Sequence, residues 1–133
     1  MSDPEPHFCN IAIVDDDAAV RVGLSSLLRS YGYAAQAFDS AQALLAEGAD
    51  ALGQFHCVIT DLQMPGMSGI ELLEALRREG STLPLILMTA FPEAALRKRA
   101  LQGGAACFLS KPFDASQLLA CLRNAAASLP RAD

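Results

Sequence analysis

The chain has 133 residues, of which 52% are hydrophobic and 19% charged, and a net charge of −5. That is the length of one domain with enough apolar residue to fill a single core, and it excludes a disordered chain. No apolar run approaches the roughly 18 residues of a membrane span, and no basic run exceeds Arg97-Lys98-Arg99, so neither a membrane nor nucleic acid is expected as a direct partner.

Ile11-Ala-Ile-Val14 predicts a buried strand, followed by a helix over Ala18 to Ser30 with Val20, Leu24, Leu27, Leu28 and Tyr31 at helical spacing and Gly32 as its stop. Tyr33 to Phe38 is a second, Ala-rich strand. Ser40 suits the N-cap of an Ala/Leu-rich helix ending near Gly48. His56 to Thr60 is the third strand, and Ser68 to Glu79 the third helix, with Ile70, Leu73 and Leu76 on one face. Leu85 to Met88 is the fourth strand; Pro92 fits the first turn of the fourth helix, which stops at Gly103-Gly104. Ala106 to Leu109 is the fifth strand, and Asp114 caps a fifth helix reaching about Ala127.

Continuous apolar strands alternating with helices predict an α/β fold, a (βα)5 doubly wound three-layer sandwich around a five-stranded parallel sheet. One domain is expected over residues 1–133, with its core at about 8–127 and short tails. The acidic, Pro-rich start, Met1-Ser-Asp-Pro-Glu-Pro, is the opposite of a signal peptide's basic leader, so a cytoplasmic location is expected. Cys9, Cys57, Cys107 and Cys121 are far apart with no CxxC pair and are expected as buried reduced thiols. His7 and His56 are isolated, which argues against a histidine metal site.

In such folds ligands bind beyond the carboxyl ends of the strands. There the sequence places Asp15, Asp16 and Asp17 after strand one, Asp61 after strand three, Thr89 after strand four and Lys111 after strand five. Singly, each has a structural explanation: Asp17 as a helix cap, Thr89 as a β-branched strand end, Lys111 as a solvated charge. Together they converge on one rim. Crowded carboxylates repel, and a divalent cation relieves that repulsion; oxygen ligands without Cys or His suit Mg2+, with Mn2+ the alternative. A metal, an ammonium and a hydroxyl are what a transferring phosphoryl group needs around its oxygens, and an Asp carboxylate can form an acyl phosphate.

Ile13-Val-Asp-Asp16, Thr60-Asp-Leu-Gln-Met-Pro-Gly-Met-Ser-Gly69, Leu87-Met-Thr-Ala90 and Leu109-Ser-Lys-Pro-Phe113, in that order and spacing, resemble the response-regulator receiver domain of two-component signalling over about residues 8 to 127. The stretch from Thr60 to Leu73 and the Lys-Pro-Phe end are similar to the FixJ-like subgroup. The resemblance implies a flavodoxin-like strand order 2-1-3-4-5 and a set of roles. Asp61 matches the phosphoacceptor, Asp15 and Asp16 the acidic pair that organises Mg2+, and the backbone carbonyl of Gln63 a further ligand. Thr89 matches the switch hydroxyl, Lys111 the lysine on the phosphoryl group, and Phe108 the aromatic switch position. The bond before Pro112 is a cis candidate. The implied partners are a sensor histidine kinase or histidine phosphotransfer protein as donor, a downstream protein target, and a second copy of the chain through the face of helix four, strand five and helix five. Activity beyond the chain's own phosphorylation and dephosphorylation is not expected, so it is not read as an enzyme.

Two departures bear on phosphoryl lifetime. Phe91, two residues after Thr89, would shield the acyl phosphate, whereas Gln63 would orient a water toward it. After Ala127 only Ser-Leu-Pro-Arg-Ala-Asp follows, so either a stand-alone regulator or a module of a larger protein is expected, with the short start favouring the former. A haloacid-dehalogenase-like phosphatase would use Asp15-Asp-Asp17 but needs an acidic pair after the lysine, where only Asp114 and Asp133 occur, and it leaves Asp61 unemployed. A degenerate receiver that only binds partners would have lost an acid, the hydroxyl or the lysine, and all are present. A flavodoxin-like cofactor protein would need a Ser/Thr/Gly-rich phosphate loop after strand one.

Overall fold

The computed structural model describes residues 10–127, so Cys9 and His7 lie outside the described residues. Five strands, β1 (Asn10–Val14), β2 (Ala34–Phe38), β3 (Cys57–Asp61), β4 (Leu85–Thr89) and β5 (Cys107–Ser110), form one parallel sheet in the order β2-β1-β3-β4-β5. The helices are α1 (Ala18–Ser30), α2 (Ala41–Leu45), α3 (Ala49–Leu52), α4 (Gly69–Arg78), α5 (Ala94–Gln102) and α6 (Ala115–Ala127).

Alternation along the strands sorts the core into two layers. Ile11, Ile13, Ile59, Ile86 and Met88 face α1 and α6, packing on Leu24, Leu28, Leu118 and Leu122. Ala12, Val14, Val58, Leu85 and Leu87 face the other way, onto Leu44, Leu52, Ile70, Leu73, Leu76 and Ala100 from α2 to α5. Every residue of β3 and β4 is buried, as expected of central strands covered on both faces. Burying side chains of this size stabilises by roughly 1.5–3 kcal/mol each, so the central strands whose ends form the rim are held by burial on both faces.

Three expectations are corrected. Five helices are expected and six are found among the described residues: the second ends before Gly48, as expected, but Gly48 takes φ 90°, a left-handed conformation open to a residue without Cβ, and the chain then forms the short extra helix α3. Pro92 is not in the first turn of its helix; Glu93 is the N-cap of α5. The Phe91 N–H donates to Thr89 Oγ1 at 3.0 Å, and this turn delays the helix start. Finally, Cys107 and Cys121 are not reduced thiols but a disulfide, S–S 2.05 Å and Cα–Cα 5.8 Å, joining β5 to α6. Cys107 faces the layer that α6 covers, and docking of α6 brings Cys121 against it. Cys57 is buried and free, and burial pushes its thiol well above the ordinary range.

Candidate functional site

The strand order reverses between β1 and β3, and the acids stand at the carboxyl ends of those two strands. Asp61 is the last residue of β3 and only 7% exposed. Just beyond it, Leu62 N–H donates to Met88 O at 2.8 Å and Gly69 N–H to Leu62 O at 2.9 Å, which folds the following loop back over the strand end. Ser68 then starts α4 with a capping box, its hydroxyl accepting from Glu71 N–H while the Glu71 carboxylate accepts from Ser68 N–H. A Cβ on Gly69 would lie 2.5 Å from Asp61 O and 2.6 Å from Leu87 Cδ2, so glycine is what lets the helix begin against the acid.

Asp15 is buried and both of its oxygens are engaged: Oδ1 accepts from Asp17 N–H at 2.9 Å and Oδ2 from Lys111 Nζ at 3.1 Å. Arg21 braces the same residue by donating to its carbonyl at 2.8 Å. Asp16 is exposed at the mouth. Asp17 caps α1, accepting from Ala19 and Val20 N–H. Lys111 is positioned by its own N–H, which donates to Thr89 O at 2.7 Å and prolongs the β4–β5 ladder. Its Nζ lies 3.0 Å from Asp61 Oδ1, and its bond to Pro112 is cis. Ligand oxygens of Asp15, Asp16 and Asp61 all fall within 4.8 Å of one another, an all-oxygen set of the kind that holds a hard divalent cation.

The sequence profile of the response regulator receiver domain family matches residues 11–123. The chain belongs to that family. The receiver is 42% identical over 118 residues to the transcriptional regulatory protein FixJ of Bradyrhizobium diazoefficiens, an overlap of 87% of this chain and 56% of that protein. The crystal structure of FixJ-N matches with a TM-score of 0.83 at 31% identity, over 99% of this chain and all of that one. Full-length FixJ from B. japonicum matches with a TM-score of 0.77 at 40% identity, covering 88% of this chain and 57% of that chain. The chain spans about half the length of the curated relatives it matches.

The receiver's charges pull against burial. Desolvation raises the Asp61 carboxyl above its ordinary value; the hydrogen bond and charge of Lys111 oppose this, and Asp15 and Asp16 add to it by repulsion. Burial works to lower the Lys111 ammonium, but the hydrogen bonds to Asp61 and Asp15 together with their negative charges outweigh it and leave it raised. So the lysine is firmly charged, while one lysine does not offset burial plus two further acids.

Thr89 is fully buried; its hydroxyl donates to Gln63 Oε1 at 2.8 Å. Phe91, expected to shield the site, is 67% exposed. Phe108 is half-buried and packs against the α2–α5 layer. The Gln63–Thr89 contact and the Arg21 brace were not foreseen from sequence. Both join residues whose meeting is set by loop conformation, and neither leaves a spacing signal.

Proposed function

We propose that this receiver takes a phosphoryl group onto Asp61 from a phosphohistidine of a sensor histidine kinase or histidine phosphotransfer protein. The observation that carries this reading is the Lys111 ammonium held between Asp61 and Asp15, at 3.0 and 3.1 Å, on the rim where the acids meet. An Asp61 oxygen attacks phosphorus, the P–N bond breaks, and its electron pair leaves with the imidazole, which retains its place on the donor as a neutral ring once protonated. The product is an acyl phosphate, and Lys111 is placed to pair with one of its oxygens. Asp15 makes a poor competing nucleophile, since both its oxygens are already engaged.

Asp15, Asp16, Asp61 and the Gln63 backbone carbonyl would hold Mg2+, or Mn2+ in its place; bound there, the ion supplies positive charge against the phosphoryl oxygens. Asp16, exposed and uncommitted by the bonds that tie Asp15, is the more direct ligand. Thr89 and Phe108 then carry the change to the face of α5, β5 and α6, which corresponds to predicted helix four, strand five and helix five. That face meets the downstream protein or a second copy of the chain. The transfer takes place in the cytoplasm, where a partner kinase presents its phosphohistidine.

Intact mass after incubation with a small-molecule phosphodonor tests it. One phosphoryl adduct that needs Mg2+, is lost with chelator and is absent from Asp61→Asn is expected. An adduct that persists in Asp61→Asn would move the nucleophile elsewhere.

A further inference from the structure

Thr89 ends β4 with its side chain fully buried, and a buried hydroxyl must find partners. It has two. Its oxygen accepts from Phe91 N–H at 3.0 Å, a local bond that shapes the turn after β4. Its O–H donates to Gln63 Oε1 at 2.8 Å, a bond that crosses to the loop after β3. A hydroxyl has a single proton to donate. Thr89 therefore cannot serve Gln63 and a phosphoryl oxygen on Asp61 at the same time. Gln63 itself is exposed, and the bond to Thr89 is the hydrogen bond that ties its side chain to the end of β4.

We propose that Gln63 is a positioning residue whose side-chain carbonyl latches the Thr89 hydroxyl in the unphosphorylated state, and that switching requires this latch to break. The proposal rests on Asp61 being the phosphoacceptor. It gives the Gln63 side chain a task separate from its backbone carbonyl, which belongs to the ion site. At rest the Thr89 proton is satisfied by Gln63; after phosphorylation it is satisfied by the phosphoryl group, and Gln63 turns to water. Deleting the acceptor on Gln63 leaves the Thr89 proton unpaired at rest and costs the switched state nothing. The resting state loses stability, and the balance moves toward the switched state.

Beryllofluoride, a phosphoryl mimic that does not hydrolyse, tests this at saturating Mg2+ on wild type, Gln63→Leu, Thr89→Val and the double variant. Gln63→Leu should bind beryllofluoride roughly fivefold more tightly than wild type, the worth of one hydrogen bond, while its unliganded melting temperature falls. In the Thr89→Val background the same substitution should change neither quantity. A purely structural role for Gln63 would lower stability and affinity together. Unchanged or weaker binding by Gln63→Leu, or an equal gain in the Thr89→Val background, overturns the latch alone. Failure of wild type to bind beryllofluoride at all overturns the phosphoacceptor reading and the latch with it.

Discussion

The Lys111 Nζ lies 3.0 Å from Asp61 Oδ1, yet Asp61 remains harder to ionise than an ordinary aspartate. The ammonium is shared, since Asp15 takes a second hydrogen bond from it at 3.1 Å. Replacing it with an uncharged chain of similar length leaves two buried carboxylates facing each other. Lys111→Met should lower stability at pH 7 by about 1.5–3 kcal/mol, the range for hydrogen bonds to charged groups. Urea denaturation checks this, and saturating Mg2+ should recover much of the loss. An unchanged midpoint would mean that solvent already screens the pair.

The direction of the Asp61 shift sets a pH dependence. Its folded value lies above the unfolded 3.8, so its stability contribution is fully present below 3.8 and is lost as pH rises through the folded value. An amide never loses a proton there. Asp61→Asn should therefore be more stable than wild type at pH 7 without Mg2+, and the advantage should vanish as pH is taken down to about 4. Denaturant midpoints across that range decide it; a wild type at least as stable at pH 7 would mean that Lys111 outweighs burial.

The acid cluster should couple stability to divalent ions. Mg2+ at about ten times its dissociation constant contributes roughly 1.4 kcal/mol to the folded state, or about 4–7 °C in melting temperature for a domain of this size. Asp16→Asn should remove most of that shift. Asp17→Asn should not, because Asp17 accepts from Ala19 and Val20 N–H as a helix cap and Asn caps equally well. Equal shifts in wild type and Asp16→Asn would exclude Asp16 as a ligand.

The strands and the rim were legible because both are written locally. Apolar runs such as Leu85–Met88 mark buried strands, and Asp61, Thr89 and Lys111 each follow such a run within two residues. Capping residues were equally plain: Asp17, Ser40 and Asp114 each accept from the first turn they precede. What failed to show depended on how finished elements meet. Cys107 and Cys121 pair because α6 settles over β5 in one register, and reading them as two isolated apolar thiols was locally reasonable. Gln63 reaches Thr89 because the loop after β3 folds back on hydrogen bonds of its own, Leu62 to Met88 and Gly69 to Leu62.

The disulfide closes a short loop, with a sequence separation of 14. By chain entropy a loop of about 15 residues is worth roughly 3 kcal/mol, so reduction should lower stability by about 2–3 kcal/mol. Thiol titration in denaturant should find two more reactive thiols after reduction than before. The same thiol count in both would show that the pair is not bridged in solution.

Two glycines, one at the site and one remote, separate stability from function. A methyl on Gly69 would meet the Asp61 carbonyl at 2.5 Å and Leu87 Cδ2 at 2.6 Å, and neither the strand backbone nor a buried leucine can give way freely. Gly69→Ala should cost about 1–3 kcal/mol, the usual range for overpacking. Because one of the atoms displaced belongs to Asp61, the rate of adduct formation with a small phosphodonor should fall as well, even under conditions where the variant is fully folded. Gly23 lies exposed within α1, and a methyl there meets nothing within 4 Å. Gly23→Ala should stabilise by about 0.5–1 kcal/mol and leave the phosphorylation rate alone. If Gly69→Ala lost stability but kept the wild-type rate, the helix start would be adjusting around a fixed Asp61, and the coupling between the α4 N-terminus and the acid would be looser than the contact implies.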